Sequence, residues 1–326
     1  MTAGRTPRVT VLMAVHNAGP YLAEALDSLG RQTLKDFEIL AIDDGSTDDS
    51  AAILRACRDP RLRVVTRANR GFTATLNEGL ELCASPLIAR MDPDDRCHPE
   101  RLERQLRTLA ADPELVLVGS RATVIDPAGK EIGALRVVQH DAAIQRVLAV
   151  MNCFVHGSVV YRIEAARAAG GYRDAARPAA DYDFFARLVT LGRVANLPDT
   201  LYEWRSHPAG VGRSRPAAQR VATDRVSEVV WARFGEAGPA PRSAWAEIWT
   251  EDLDPGLGAY LHLEFACGYL KRGARGLAVR HVLAALALRP RSGGAWSCLP
   301  AMLLPAPWFA ALEFRARLLQ RRIQGW

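Results

Sequence analysis

The sequence lacks the cysteine spacings of zinc sites and disulfide frameworks. It has six cysteines among 326 residues and no Cys-x-x-Cys pair. The six are Cys57, Cys83, Cys97, Cys153, Cys267 and Cys298. We therefore expect reduced thiols in a cytoplasmic protein.

Long apolar runs are also missing. A short polar stretch leads directly into Val9–Val15, which is apolar but too short for a secretory signal peptide. No segment reaches the roughly 18 uninterrupted apolar residues of a spanning helix. The nearest candidate, Ala295–Leu312, is interrupted by Pro300, Pro305 and Pro307. The sequence therefore predicts neither a signal peptide nor a transmembrane helix.

A third missing feature is the phosphate-binding loop Gly-x-x-x-x-Gly-Lys-Ser/Thr, which argues against a P-loop ATPase. What the chain does have is an excess of basic residues, with a formal net charge of +6. This charge suits contact with anions such as nucleotide phosphates, acidic glycans, anionic lipids or nucleic acid, and does not choose among them. At 49% hydrophobic residues, the chain can bury one large core or two ordinary ones.

Strand and helix patterns alternate along the first hundred residues. Apolar runs predict strands at Val9–Val15, Glu38–Ile42, Leu62–Thr66 and Leu87–Met91. Amphipathic segments between them predict helices at Tyr21–Arg31, Asp48–Cys57 and Thr73–Cys83. This alternation predicts an α/β fold, in which helices flank a single, mostly parallel sheet. In such sheets, ligands bind at the carboxyl ends of the strands.

The loops that follow three of these strands are rich in polar residues. They carry His16-Asn17, Asp43-Asp44 and Asp92-Pro93-Asp94-Asp95, and the fold brings all three to one edge. Adjacent carboxylates repel each other and need a cation or hydrogen-bond donors when they are buried. The structural alternative is a pair of surface loops, with Ser46 or Thr47 capping the helix that begins near Asp48.

The pattern changes after residue 100. A helix is predicted at Pro99–Ala110, strands at Leu115–Val118, Ala122–Ile125 and Gly157–Tyr161, and a helix at Asp181–Leu191. Gly238, Pro239 and Pro241 mark residues 235–243 as a linker. We therefore predict a catalytic domain at 1–234, with halves at about 8–110 and 111–234, and a helical region at 244–326 in which Ala266–Pro290 forms a helical hairpin.

The helical region has the composition of an interfacial membrane anchor, because tryptophans accompany a basic C-terminal segment. These residues are Trp245, Trp249, Trp296, Trp308, Trp326, Arg315, Arg317, Arg321 and Arg322. Packing on the catalytic domain is the equally weighted alternative.

Three motifs at these positions resemble a known family. They are Val-Leu-Met-Ala-Val-His-Asn at 11–17, Phe-Glu-Ile-Leu-Ala-Ile-Asp-Asp-Gly-Ser-Thr-Asp at 37–48, and Ala-Arg-Met-Asp-Pro-Asp-Asp at 89–95 followed by Pro-Glu-Arg-Leu at 99–102. Together they resemble the family 2 glycosyltransferases, over about residues 8–210. The resemblance implies a GT-A fold, a nucleotide-sugar donor, a Mn²⁺ or Mg²⁺ ion, and transfer of the sugar with inversion.

The resemblance also implies which residues contact the donor. The nucleotide-binding candidates are Ala14, Val15, His16, Asn17, Asp44, Arg70, Gly71 and Asp92. Asp94 is the first candidate for the metal ligand, with Asp92 beside it. Hard divalent cations prefer carboxylate oxygens, with phosphate and water completing their coordination. Asp43 is assigned a structural role at the end of its strand.

Asp181 is the predicted catalytic base, because Ala-Ala-Asp-Tyr-Asp at 179–183 resembles the family's Glu-Asp-Tyr-Asp segment. The family's glutamate is replaced by Ala180, which removes an acid that would help to raise the pKa of the base. The structural alternative is that Asp181 caps its helix. His156, Ser158 and His207 are candidates on the acceptor side, and Asn77 is assigned structural support.

The resemblance implies an inverting, metal-dependent enzyme that moves one sugar to a glycan or lipid-linked acceptor of a cell-surface polysaccharide, with a UDP-sugar as the favoured donor. The chain lacks the Gln-x-x-Arg-Trp motif of processive family members, which favours single-sugar addition. Two alternatives are a catalytically inactive relative that acts as a binding module and, less favoured, a sugar-phosphate nucleotidyltransferase. We expect the protein in the cytoplasm or at the inner face of the cell membrane, without a nucleic-acid partner.

Overall fold

The computed structural model of the chain describes residues 6–210, 216–248, 254–292 and 295–296. They divide into two compact units, of which the first comprises residues 1–141 and 154–226 and the second residues 142–153 and 227–326. The predicted linker at 235–243 lies within the second unit, which already includes residues 227–234. The predicted domain boundary remains a proposal.

One sheet organises the first unit, with helices placed between its strands along the chain. Its strands are β1 (Thr10–Val15), β2 (Glu38–Asp44), β3 (Leu62–Arg67), β4 (Leu87–Met91), β5 (Arg96–Cys97), β6 (Leu115–Ile125), β7 (Glu131–Leu135), β8 (Val160–Arg162) and β9 (Arg193–Arg205). Its helices are α1 (Gly19–Gly30), α2 (Ser50–Ala56), α3 (Phe72–Leu82), α4 (Arg101–Ala111), α6 (Ile163–Ala168) and α7 (Ala180–Leu188), with α5 (Asp141–Val147) at its boundary.

The strand order is β3-β2-β1-β4-β8-β6-β9-β5, and β7 pairs with β6. The strands β1 to β4 are parallel to one another, which confirms the predicted parallel half of the sheet. Beyond β4 the sheet is mixed, because β8 is antiparallel to both β4 and β6. The carboxyl ends of β1, β2 and β4 therefore meet at one edge, as the sequence predicted.

The core of this unit lies on both faces of the central strands. Every residue of β1 is buried, including Leu12 and Met13 with no exposed surface. A parallel strand that is covered on both faces reads as a continuous apolar run, which is why β1 and β2 were recognisable in the sequence. Each fully buried aliphatic side chain stabilises the fold by about 1.5–3 kcal/mol.

Two predicted elements differ from the structure. The predicted strands at 115–118 and 122–125 form one continuous strand, β6, because the pairing with β9 shifts register near Ser120 and Arg121 and then continues. The strand predicted at Gly157–Tyr161 begins as a 3₁₀ turn at His156–Ser158, and β8 follows it.

The second unit is helical in its described part. It contains the end of α8 (Pro216–Trp231), then α9 (Trp245–Ile248), α10 (Pro255–Lys271) and α11 (Arg275–Leu288), with 3₁₀ turns at Ala232–Phe234 and Arg242–Ala244. The helices α10 and α11 form the predicted hairpin, which begins earlier than the sequence suggested. None of the described helices is long and apolar enough to cross a membrane.

The predicted membrane-binding segment lies largely outside the described residues. Trp249, Trp308, Trp326 and the C-terminal arginines fall there. Trp245 donates a hydrogen bond from Nε1 to the carbonyl oxygen of Ala240 at 3.2 Å and packs against the rings of His262 and His281. This tryptophan thus has a packing role within the second unit.

Candidate functional site

The loops after β1 and β2 are hydrogen-bonded to each other. The hydroxyl of Ser46 accepts a bond from the Asn17 N–H at 3.1 Å, and the Thr47 N–H donates to Oδ1 of Asn17 at 2.8 Å. Neither Ser46 nor Thr47 caps a helix, since α2 begins at Ser50, so that expectation was wrong. Asp43 has the predicted structural role, because its Oδ1 accepts a bond from the Ser46 N–H at 3.0 Å and closes the turn.

Asp44 is held by donors of the protein itself. Its carboxylate accepts bonds from the N–H groups of Arg70 at 2.7 Å and Gly71 at 2.9 Å, and it pairs with the Arg67 guanidinium. Burial opposes ionisation, but the hydrogen bonds from Arg70 and Arg67 outweigh it and lower the pKa of Asp44. Asp44 therefore fixes the loop after β3 at the edge of the sheet, and a contact with a nucleotide base remains a proposal.

The nucleotide-side candidates differ in accessibility. Val15 has no exposed surface, so its burial does not favour a direct contact with a nucleotide, and that assignment stays a prediction. Its side chain packs in the core as the last residue of β1, and Ala14 before it is only 7% exposed. His16 and Asn17 are the first exposed residues of this loop, and the Arg70 side chain is 65% exposed.

Gly71 adopts a backbone conformation that other residues disfavour, with φ of 92°. A Cβ atom there would also lie 3.2 Å from Nη1 of Arg177. We expect Gly71→Ala to lower the free energy of unfolding by about 1–3 kcal/mol, measured by urea denaturation. Gly30→Ala is the control, because α1 ends there with nothing within 4 Å of the new Cβ, and it should not destabilise. Equal stability of both variants would contradict this prediction.

Side-chain contacts hold the acidic loop after β4. The Asp94 carboxylate binds Nε2 of His207 at 2.8 Å, and the Asp92 carboxylate pairs with Arg90. Asp95 is buried, and its Oδ1 accepts a bond from the Arg205 N–H at 2.7 Å. The structure therefore brings His207, predicted on the acceptor side, directly to the predicted metal ligand.

Negative charge accumulates in this loop. Burial raises the pKa of Asp92, an effect that Arg90 opposes and the charge of Asp94 increases. Burial also raises the pKa of Asp95 well above its ordinary value, and the charges of Asp94 and Asp92 add to this rise. Raised pKa values of this kind mark a place where a bound cation would stabilise the ionised carboxylates.

The donor set suits a cation that arrives with a phosphate ligand. Among the described residues, no group of three or more His, Cys, Asp or Glu side chains is placed to hold a metal ion. Asp92 and Asp94 present two carboxylates whose side chains are 25% and 29% exposed. Mg²⁺ is typically bound by one or two carboxylates, with substrate phosphates and water filling the other positions. The residues present fit such an ion.

Arg205 supports the acidic loop and was missed from the sequence. Its Nε donates to the Asp94 carbonyl oxygen at 2.8 Å, and one Nη donates to Glu24 at 2.7 Å. Tyr202, three residues earlier on β9, accepts a bond from the Asp92 N–H at 3.1 Å. The available signal was the position of Arg205 two residues before His207, which was itself a candidate residue.

Asp181 lies near the same charges. It is the second residue of α7, whose N-cap is Ala179 without a side-chain bond, so Asp181 is not the cap. Burial raises the pKa of Asp181, the N–H of Tyr182 opposes the rise, and the negative charge of Asp92 adds to it. A carboxylate with a raised pKa beside the acidic loop suits a general base.

The acceptor-side candidates separate into two kinds. His156 binds the Tyr172 hydroxyl through Nε2 at 3.1 Å, and burial together with the Arg90 charge lowers its pKa well below the ordinary value. Ser158 is wholly buried and donates to the Val155 carbonyl oxygen at 2.9 Å. The structure therefore favours a structural role for Ser158 over the predicted place on the acceptor side. Asn77 has its predicted structural role, because its amide bonds both the N–H and the carbonyl oxygen of Tyr172 at 2.8 Å.

Comparison with known proteins agrees with this geometry. Residues 10–169 match the sequence profile of the family described as Glycosyl transferase family 2. The chain is 35% identical over 213 residues to the amylovoran biosynthesis glycosyltransferase AmsE of Erwinia amylovora. That match covers 63% of this chain and 79% of the relative.

Solved structures share the fold. S. aureus TarS 1–349 in complex with UDP-GlcNAc superposes with a TM-score of 0.60 and 15% identity, covering 98% of this chain and 92% of that 1–349 chain. The mannosyltransferase PcManGT from Pyrobaculum calidifontis in complex with GDP-Man and Mn²⁺ gives a TM-score of 0.55 and 21% identity, covering 98% and 87%. At these identities the likeness concerns the fold alone, and it confirms the predicted GT-A architecture.

Proposed function

Because the chain belongs to glycosyl transferase family 2 and is a glycosyltransferase, we propose that it moves one sugar from a nucleotide-sugar to an acceptor hydroxyl with inversion. The observation that carries this proposal is the pair Asp92 and Asp94 in the loop after β4, together with Asp181 at the start of α7, which is near enough for the Asp92 charge to act on it. Asp92 and Asp94 are partly exposed carboxylates suited to a divalent cation, and the pKa of Asp181 is raised by burial and by the charge of Asp92.

The acidic loop after β4, which carries Asp92 and Asp94, stabilises the leaving nucleoside diphosphate. A Mn²⁺ or Mg²⁺ ion on Asp94 and Asp92, when bound, would neutralise the charge that develops on the nucleoside diphosphate as the glycosidic bond breaks. His207 and Arg205 hold Asp94 by its side chain and by its carbonyl oxygen. This support keeps the carboxylate in place before the donor arrives, so that little reorganisation is needed during the reaction.

Asp181 removes the proton of the acceptor hydroxyl as that oxygen attacks the anomeric carbon. Inversion requires the attack to come from the face opposite the leaving diphosphate. His156, neutral because of burial and the nearby Arg90, is the acceptor-side residue that supports this step through its bond to Tyr172. Ala180 is buried at the start of α7, so the acid that the resemblance leads one to expect there is replaced by an apolar contact.

The donor and acceptor are proposed at the level of class. TarS was solved with UDP-GlcNAc and PcManGT with GDP-Man, and we propose a UDP-sugar for this chain. The relative in amylovoran biosynthesis supports a place in cell-surface polysaccharide synthesis, with a glycan or lipid-linked acceptor. Such an acceptor would suit the inner face of the cell membrane and peripheral contact of the C-terminal region with it.

Thermal unfolding in the presence of ligands tests this proposal. We expect UDP or its sugars with Mn²⁺ to raise Tm, because a ligand that binds only the folded state stabilises it. At a concentration of about 100 Kd the rise should be roughly 5–10 °C for a unit of this size. GDP and dTDP compounds, and samples without Mn²⁺, are the comparison.

The same donor should then be consumed in the presence of a glycan or lipid-linked acceptor fraction, measured as released nucleoside diphosphate. Stabilisation without turnover on any acceptor would favour a binding module, the alternative that Ala180 suggests. No stabilisation by any nucleotide of the panel would contradict the proposed donor class.

A further inference from the structure

Arg90 is a buried cation at an unusual place. It occupies the fourth position of β4, which reads Leu-Ile-Ala-Arg-Met and lies between β1 and β8. The residue has no exposed surface at all. Charged side chains are almost never fully buried unless they are paired.

The pairing of Arg90 is incomplete. Its guanidinium contacts the Asp92 carboxylate, the Met91 carbonyl oxygen and the face of the Phe72 ring, 5.3 Å from the ring centroid. Its Nε is buried and has no hydrogen-bond partner. A buried ion pair is weak evidence for stability, and an unsatisfied buried N–H adds a cost, so this arginine calls for a role beyond the stability of the fold.

The contact with Asp92 has a definite geometry. Arg90 engages Oδ1 of the carboxylate, and Oδ2 has no hydrogen-bond partner among the residues that the structure describes. The Asp92 side chain is 25% exposed, so it is held by Arg90 through one oxygen and still has surface open to a ligand. The Asp92 N–H is fixed as well, by the Tyr202 hydroxyl at 3.1 Å.

We propose that Arg90 is a positioning residue for sugar transfer, which holds one oxygen of Asp92 so that the other faces the bound donor. This inference rests on the proposed function and adds a residue to it. Arg90 acts through Asp92 and does not touch the substrate. Supporting residues of this kind typically change ligand affinity or activity by about 10- to 100-fold when they are removed.

A double-mutant cycle on Arg90→Met and Asp92→Asn tests the inference. We expect Arg90→Met to lower kcat/KM and the affinity for UDP with Mn²⁺ by about 10- to 100-fold, measured by the release assay and by calorimetry. In the Asp92→Asn background, the same change should cause less than about a threefold further loss, because the residue through which Arg90 acts is already altered. Arg90→Lys should restore part of the affinity, since it keeps the charge.

Thermal unfolding without ligand, compared with the affinity, separates positioning from a structural role. Arg90→Met removes one partner of a buried ion pair and leaves the Asp92 carboxylate uncompensated, so this variant should lower Tm as well as the affinity for UDP with Mn²⁺. Arg101→Met is the matched control: Arg101 is equally buried and bonds the Arg90 carbonyl oxygen at 2.6 Å, but among the described residues it makes no hydrogen bond or ion pair with the Asp92 carboxylate and acts on it through its charge. That variant should lower Tm and leave the affinity for UDP with Mn²⁺ within about threefold.

Equal losses for Arg90→Met in both backgrounds would overturn the positioning role, and so would wild-type affinity in Arg90→Met. If the wild-type protein neither binds UDP or GDP with Mn²⁺ nor consumes a nucleotide-sugar, the proposed function fails and this role fails with it. An active wild type with an additive cycle refutes only the role of Arg90.

Discussion

Asp181→Asn is expected to lower kcat by about 10²- to 10⁴-fold, the usual range for removal of a general base. Asparagine keeps the shape of the side chain but cannot accept the proton of the acceptor hydroxyl. The affinity for the nucleotide should change little, because Asp181 is assigned to the acceptor and not to the donor. The measurement is released nucleoside diphosphate at saturating donor, beside calorimetry with UDP and Mn²⁺.

The direction of the pKa shift gives this prediction a pH dependence. Burial raises the pKa of Asp181, so the base loses its ionised form at a higher pH than an exposed aspartate would. The wild-type kcat/KM should therefore fall as the pH decreases through this raised pKa. The pH profile of Asp181→Asn should not show this decrease. A raised pKa also means that the ionised form destabilises the folded state above the unfolded pKa. The variant should accordingly be at least as stable as the wild type at neutral pH.

Asp183→Asn is the control for the same helix. Asp183 lies two residues after Asp181 and pairs with Arg187 one turn later, at 2.7 Å. Its replacement removes an acid from α7 and an ion pair, but no group that the mechanism uses, so kcat should stay within about threefold. If Asp181→Asn behaved like this control, Asp181 would not be the base.

The fold could be read from the sequence where burial made the pattern continuous. Leu12 and Met13 in β1 and Ile39 and Leu40 in β2 have no exposed surface, and the resulting apolar runs ended in polar loops. The parallel order then placed those loops at one edge. The polar residue Ser120 led to two predicted strands, at 115–118 and 122–125. This break was wrong, because Ser120 is buried within the continuous strand β6.

The site could be predicted only as a set of loops. A loop position does not say which way a side chain points, and for this reason Val15 and Ser158 were placed at the site although both are buried. Nor does it say which donors satisfy an acid: Asp44 is engaged by Arg67 and by two backbone N–H groups from a loop more than twenty residues away. Such contacts depend on how β2 and β3 pair, which the local sequence does not contain.

The last prediction concerns Asp94, the proposed metal ligand. Asp94→Asn should lower kcat/KM by about 10³-fold, because metal stabilisation of a leaving diphosphate contributes roughly 4 kcal/mol and each 1.36 kcal/mol is tenfold. It should also abolish the part of UDP affinity that depends on Mn²⁺, since an amide is a weaker ligand for a hard cation than a carboxylate. Calorimetry with UDP, with and without Mn²⁺, measures this second effect independently of turnover.

Asp174→Asn is the control, because Asp174 is an exposed acid of the same unit whose ion-pair partner is Arg177 at 3.4 Å. It removes the same charge and should leave the Mn²⁺ dependence unchanged.

A further variant, His207→Gln, tests whether His207 binds the metal or only orients Asp94. It keeps a polar side chain but removes the imidazole nitrogen that lies 2.8 Å from the Asp94 carboxylate. If only Asp94→Asn loses the Mn²⁺-dependent affinity, His207 orients Asp94. If both variants lose it, the imidazole belongs to the metal site as well. Undiminished Mn²⁺-dependent affinity in Asp94→Asn would place the cation elsewhere.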